Sequence, residues 1–186
     1  MMNFNFKPRL TLIYEGKSET HFIKKLEEYF DAKYVLTKID ANGDSRIPLM
    51  YRKEKRKNNY SDIKVMFDLD GTKNISDILR LFNNAGVAIE EEDIYFINPD
   101  IELLFILCKL KKAKLIRNKT KGVIEEIYKF SSYNKTEQQL KQIMNSISKD
   151  EIIEMLKISS KLLSKKDNIL KSTNYDILFK DIFSIE

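Results

Sequence analysis

Four short apolar runs, each followed by a stretch with helical spacing, constrain this chain more than any other feature. The runs span 8–14, 34–39, 62–68 and 94–97, and β-branched and aromatic residues concentrate in them. After the first run, Ser18 is a plausible helix N-cap. Phe22, Leu26 and Phe30 then recur every four residues with Ile23 beside them, an apolar stripe on one helix face. Residues 45–57 carry a second helix, whose beginning Pro48 restricts to the first turn. After the third run, Ile75, Ile78, Leu79 and Phe82 keep helical spacing, and Asn83-Asn84-Ala85-Gly86 supplies the stop. The fourth run passes through Asn98-Pro99 into a helix with Ile101, Leu103, Leu104, Phe105, Ile106, Leu107 and Leu110. That helix is apolar on most sides and is expected to be buried. Strands alternating with helices predict an α/β fold: a mainly parallel four-stranded sheet flanked by helices, with right-handed crossovers.

Beyond about residue 112 the pattern turns to helices only, at roughly 120–130, 136–146, 150–165 and 174–183. The expected organisation is an α/β domain over 1–115 with a helical extension over 116–186 packed on it as one unit. A hydrophobic fraction of 42% in 186 residues is enough for a real core. No apolar stretch is long enough to cross a bilayer, so no membrane role is expected. The first residues lack the basic start and long apolar region of a secretion signal. The single cysteine, Cys108, cannot form an internal disulfide, so a reducing cytoplasm is the simplest home.

The chemistry sits where two runs stop. The first closes with Glu15-Gly16 and the third with Asp68-Leu69-Asp70-Gly71. In a parallel α/β sheet the carboxyl ends of the strands form the ligand-binding crevice. Asp68 and Asp70 alternate across Leu69, so an extended strand end would point both the same way. Three convergent carboxylates repel one another unless protons or a divalent cation compensate them, and hard oxygen ligands favour Mg²⁺ or Mn²⁺. Glu15, Asp68 and Asp70 are the expected ligands. Glu102, in the first turn of the helix after the fourth strand, is a candidate fourth. Glu19 and His21 have blander readings, as a first-turn helix acid and a surface or packing histidine.

Net charge is +5, but its distribution is uneven. Lys109, Lys111, Lys112, Lys114, Arg117, Lys119 and Lys121 follow one another with no acidic residue between. Lys109, Lys112, Lys119 and Lys121 are candidates for contacting a nucleic-acid backbone, against the plainer reading of a solvated helix face. Arg52, Lys53, Lys55, Arg56 and Lys57 form a second basic cluster.

Phe67-Asp68-Leu69-Asp70-Gly71-Thr72 also resembles the opening signature of haloacid-dehalogenase-type phosphatases, which would make Asp68 a nucleophile. Three features count against that reading. Two strands precede the motif, Asn98-Pro99 stands where a phosphate-holding serine or threonine belongs, and no later acidic pair completes the Mg²⁺ site.

With Glu15 included, the order Glu15-Gly16 then Asp68-Leu69-Asp70 resembles a Toprim domain, the metal-binding unit of type II topoisomerases, primases and OLD-type nucleases. The segment EGKSETHF at 15–22 is similar to the opening of RloB-like proteins, a compact Toprim family of bacterial defence loci. NPDIELLFIL at 98–107 resembles the family's Asn-Pro, glutamate and apolar helix, while YNK at 133–135 and STNYDILFKDI at 172–182 are looser matches. Asp100 and Ile101 depart from the family pattern, and the tryptophan often found in the apolar helix is missing. The resemblance implies Mg²⁺- or Mn²⁺-dependent phosphodiester cleavage in DNA or RNA and an anti-phage role. It implies Lys135 as a catalytic cation, with Glu15, Asp68, Asp70 and Glu102 as acids. It also implies an ABC/AAA-type ATPase partner encoded nearby; this sequence carries no Gly-x-x-x-x-Gly-Lys-Ser/Thr loop of its own. Oligomeric state is left open, and a non-catalytic, partner-binding Toprim-like subunit is the alternative.

Overall fold

The computed structural model describes residues 7–57, 61–70, 74–98, 100–110, 120–163 and 174–185, with side chains described to 158 within the 120–163 stretch. Its four strands are β1 (Arg9–Tyr14), β2 (Val35–Asp40), β3 (Asp62–Asp68) and β4 (Ile94–Ile97). They form one sheet in the order β2-β1-β3-β4, with every pair parallel. The α/β fold expected from the strand–helix alternation is what the chain adopts.

The helices are α1 (Lys17–Tyr29), α2 (Ile47–Arg56), α3 (Ile75–Asn84), α4 (Glu102–Leu110), α5 (Thr120–Tyr128), α6 (Glu137–Ser146), α7 (Lys149–Leu163) and α8 (Tyr175–Ile182). Strand order dictates which face each crossover covers. The chain steps from β1 to β2 in one direction, then reverses past β1 to reach β3 and β4. With one handedness of crossover, that reversal moves the connecting helix to the opposite face.

Side-chain parity follows. Leu10, Leu12, Tyr14, Met66, Tyr95 and Ile97 pack on the face shared with α1, α4 and the C-terminal helices. Ile13, Ile63, Val65, Phe67 and Ile94 pack on the other face, with Tyr51 of α2 and Ile78 and Phe82 of α3. Strand residues alternate faces because successive Cβ atoms point to opposite sides of the pleat.

Helix α4 is buried as its composition requires, from Glu102 through Cys108. Burial pushes the Cys108 thiol up, which fits a core residue and not a reactive one. The C-terminal helices complete the same core that the sheet begins. Ser18 does not cap α1. Gly16 occupies the cap position, and its amide donates to Glu19 Oε2 at 3.2 Å. Pro48 sits in the first turn of α2, after a short 3₁₀ turn at Asp44–Arg46. Among the described residues, no helix is long and apolar enough to cross a membrane.

Candidate acid cleft at the strand ends

The reversal of chain direction lies between β1 and β3, where helices leave the sheet in opposite senses and open a crevice at the carboxyl ends. Glu15 follows β1 directly, and Asp68 is the last residue of β3. Both line one cleft of about 340 Å³, together with Gly16, Lys17, Ser18, Glu19, Asn42, Gly43 and Lys135. The far wall comes from the turn after β2. Asn42 and Gly43 carry φ values of 54° and 120°, and Gly43 donates its amide to the Glu15 carbonyl at 2.9 Å. The second of these conformations suits glycine alone among common residues.

Asp68 is 6% exposed, and its Oδ1 is buried without a hydrogen-bond partner among the described residues. Burial raises its carboxyl well above the ordinary range, and Glu19, Glu102, Glu15 and Asp100 push it further. Glu19, 3% exposed, is raised to about 7 by burial and then by Glu102 and Glu15. Asp100 is raised to about 6 by burial and by Glu102, while Thr120 holds its Oδ2 at 2.7 Å and leaves Oδ1 buried and unbonded. These carboxyls raise one another because too little positive charge is buried among them.

Among the described residues, the cation that offsets the charge on Glu19 and Asp100 is Lys135. Its Nζ stands 3.0 Å from Glu102 Oε2, a charge contact off the line of a hydrogen bond. Glu102 Oε1 accepts from Ser18 at 2.8 Å and from the Tyr133 hydroxyl at 3.1 Å. Burial works against the charge on Lys135, but the combined attraction of Glu102, Asp68 and Asp100 outweighs it and raises the ammonium's pKa. Glu102 therefore ties α1, α4 and the α5–α6 loop together and holds Lys135 against the cleft.

Asp70 departs from the expectation. The strand ends at Asp68, and Asp70 takes a left-handed φ of 50°, exposed and outside the cleft lining. Alternation across Leu69 requires extended backbone, and a residue with positive φ breaks it. The Asp70 charge acts on Asp100 instead.

The basic candidates divide as well. Lys109 is engaged at the α4–α7 contact, where its Nζ donates to both Glu151 carboxylate oxygens at 2.9 Å and to the Ser146 carbonyl. That removes it from a free nucleic-acid-binding face. Lys121 donates to Asn134 Oδ1 at 3.5 Å on the exposed side of α5. Lys112 and Lys119 lie outside the described residues, as do Gly71 and Pro99. His21 pairs with Glu137 at 2.9 Å and is not part of the cleft lining.

Three site-linked residues had weak or no signal in the sequence. Glu19 was visible as a first-turn acid, Asp100 as a departure from a motif, and Tyr175 as one aromatic in a loosely matching segment. The sequence neighbourhood of each gave no means of seeing its burial beside Asp68.

The donors offered here are all carboxylate oxygens, mutually repelling and partly unbonded, which is the chemistry a hard divalent cation satisfies. Among the described residues, no three acidic, histidine or cysteine side chains are grouped as they stand so that they could hold one metal ion. No family model, curated protein or solved structure matches this chain.

Proposed function

We propose that the cleft is a divalent-cation site and that the chain is a Mg²⁺- or Mn²⁺-dependent nuclease of the Toprim type. The observation that carries the reading is the position of Glu15 and Asp68. They close adjacent central strands at the point where the chain reverses, and they share one cleft with Glu19 and Lys135. Bound there, a divalent cation would neutralise the acids and polarise a scissile phosphate. Glu15 and Asp68 would hold it, with Glu19 as the third oxygen donor lining the cleft.

The protein's own groups supply the rest. Lys135 reaches the cleft wall from a side chain that is half exposed, so its ammonium is placed to meet the charge of a phosphodiester oxygen. Glu102 keeps that lysine in position, and Ser18 and Tyr133 keep Glu102 in position. In this arrangement Glu102 acts first as the anchor of Lys135. Service as a metal ligand would require it to leave that contact.

The resemblance to RloB-like proteins supports a role in bacterial defence and an ATPase partner supplied by another chain. Lys121 is the described member of the first basic run that remains on an exposed face for a nucleic-acid backbone.

The test is cleavage of labelled single- and double-stranded DNA and RNA with Mn²⁺ or Mg²⁺. Glu15→Gln and Asp68→Ala, checked for folding by circular dichroism, should each lose cleavage by two orders of magnitude or more, on the order of what one essential catalytic group supplies. Cleavage that survives both substitutions contradicts the reading. A phosphomonoesterase assay with a search for phosphorylated Asp68 separates the phosphatase alternative. Metal binding without any cleavage would favour the partner-binding alternative.

A further inference from the structure

Tyr175, the first residue of α8, is wholly buried, and among the described residues its hydroxyl has no hydrogen-bond partner. Its surroundings are acidic: the carboxylates of Asp68, Glu19 and Glu15 all act on it. Asp68 Oδ1 is likewise buried and unbonded. A donor and an acceptor, each sealed from water and each unsatisfied, thus lie within one electrostatic neighbourhood. Both groups face the same layer. Asp68 shares the parity of Met66, on the sheet face where Tyr175 packs.

The tyrosine is fixed from both sides. Asn174, immediately before it, clamps the edge of β4 with its backbone amide and its side chain. Its amide donates to the Phe96 carbonyl at 3.0 Å, its Oδ1 accepts from the Phe96 amide at 2.7 Å, and its Nδ2 donates to the Ile94 carbonyl at 3.2 Å. The ring is then held by a run of aromatic contacts, Tyr175 to Phe179 at 5.7 Å, Phe179 to Phe22 at 5.5 Å, and Phe22 to Phe105 at 5.7 Å. Phenylalanine would fill this ring site equally well, so packing alone does not call for a hydroxyl there.

We propose that Tyr175 is a positioning residue for Asp68, its hydroxyl donating to the Asp68 carboxylate and fixing the orientation in which that carboxylate faces the cleft. The proposal rests on Asp68 being a working acid of the cleft, and it names what aims that acid. The backbone of each residue is already held, Asp68 by the sheet and Tyr175 through Asn174 at its edge.

The test is a double-mutant cycle read by Mn²⁺ binding calorimetry on the full chain. Tyr175→Phe keeps the ring, so its thermal unfolding and circular dichroism should match the parent protein. Its Mn²⁺ affinity should fall about tenfold, the scale of a lost hydrogen bond to a charged group. In the Asp68→Asn background the same substitution should change affinity by less than about twofold. Proton NMR of the parent protein should show a slowly exchanging tyrosine hydroxyl that Tyr175→Phe removes.

An unchanged affinity in Tyr175→Phe, where Asp68→Asn does weaken binding, overturns the proposal and leaves the metal site standing. An equal loss in both backgrounds overturns it too, because Tyr175 would then act on something other than Asp68. Full Mn²⁺ affinity in Asp68→Asn overturns the parent reading and this one with it.

Discussion

Lys135 and Glu102 form an ion pair with one end sealed and the other at the cleft: the glutamate is almost wholly buried, and the lysine is half exposed, 3.0 Å away. Two hydroxyls share the sealed end, so the glutamate's charge is fixed in place. A fixed anion holding a cation beside a set of repelling acids is a costly arrangement for stability, and it has consequences that can be measured.

Removing the cation should expose that cost. Lys135→Met leaves the Glu102 carboxylate buried with only its hydroxyl donors, and stability should drop by about 1–2 kcal/mol, less than for a fully buried pair because Lys135 is half solvated. Urea unfolding measures this. Cleavage should fall by a larger factor than stability explains, with Mn²⁺ affinity little changed.

Neutralising the central acid should do the reverse. Asp68 is buried among Glu19, Glu102, Glu15 and Asp100, and both the burial and these neighbours make its charged form costlier in the folded protein than in the unfolded chain. Asp68→Asn removes that cost and should raise the stability of the metal-free protein at pH 7 by about 1–3 kcal/mol, the scale of one buried unsatisfied polar group. The same variant should bind Mn²⁺ measurably more weakly and should lose cleavage. Thermal unfolding with and without chelator checks both.

The pH dependence has a definite sign. Glu19 rises from 4.5 to about 7 on folding. A raised carboxyl favours the folded state fully below its unfolded pKa, and the benefit is lost as pH climbs through the folded value. Metal-free protein should therefore be more stable at pH 5 than at pH 8, with most of the change falling between 4.5 and about 7. Asp100, raised from 3.8 to about 6, adds to the slope in the same direction. Saturating Mg²⁺ should flatten the profile. Denaturant titrations across that range read it directly.

The basic candidates should separate. Lys109→Met breaks a partly buried contact with Glu151 and should cost about 1 kcal/mol of stability without changing nucleic-acid affinity. Lys121→Glu, on the exposed face of α5, should leave stability alone and weaken binding in a salt-dependent way. Equilibrium binding at several salt concentrations distinguishes the two.

Much of the fold was legible because its signals are local. Strand runs at 62–68 and 94–97 match β3 and β4, and the first two are offset from β1 and β2 by a single residue. Periodicity and strand-end placement also brought Glu15 and Asp68 to one crevice. What stayed hidden depends on distant contacts or backbone sign. The expected alternation of Asp68 and Asp70 fails at a left-handed φ that no local sequence signal marks. Lys109 looked like surface because its partner, Glu151, belongs to a helix elsewhere in the chain. Tyr175 gave no sign because its burial beside Asp68 depends on Asn174 docking against β4.

The most direct measurement is an anomalous difference map from crystals soaked in Mn²⁺. Expected is one strong peak in the cleft within coordinating distance of Glu15 and Asp68, with Glu19 drawn towards it. No peak there at saturating Mn²⁺, or a peak held by Asp68 with Glu15 turned away, would contradict a shared metal site at the ends of β1 and β3.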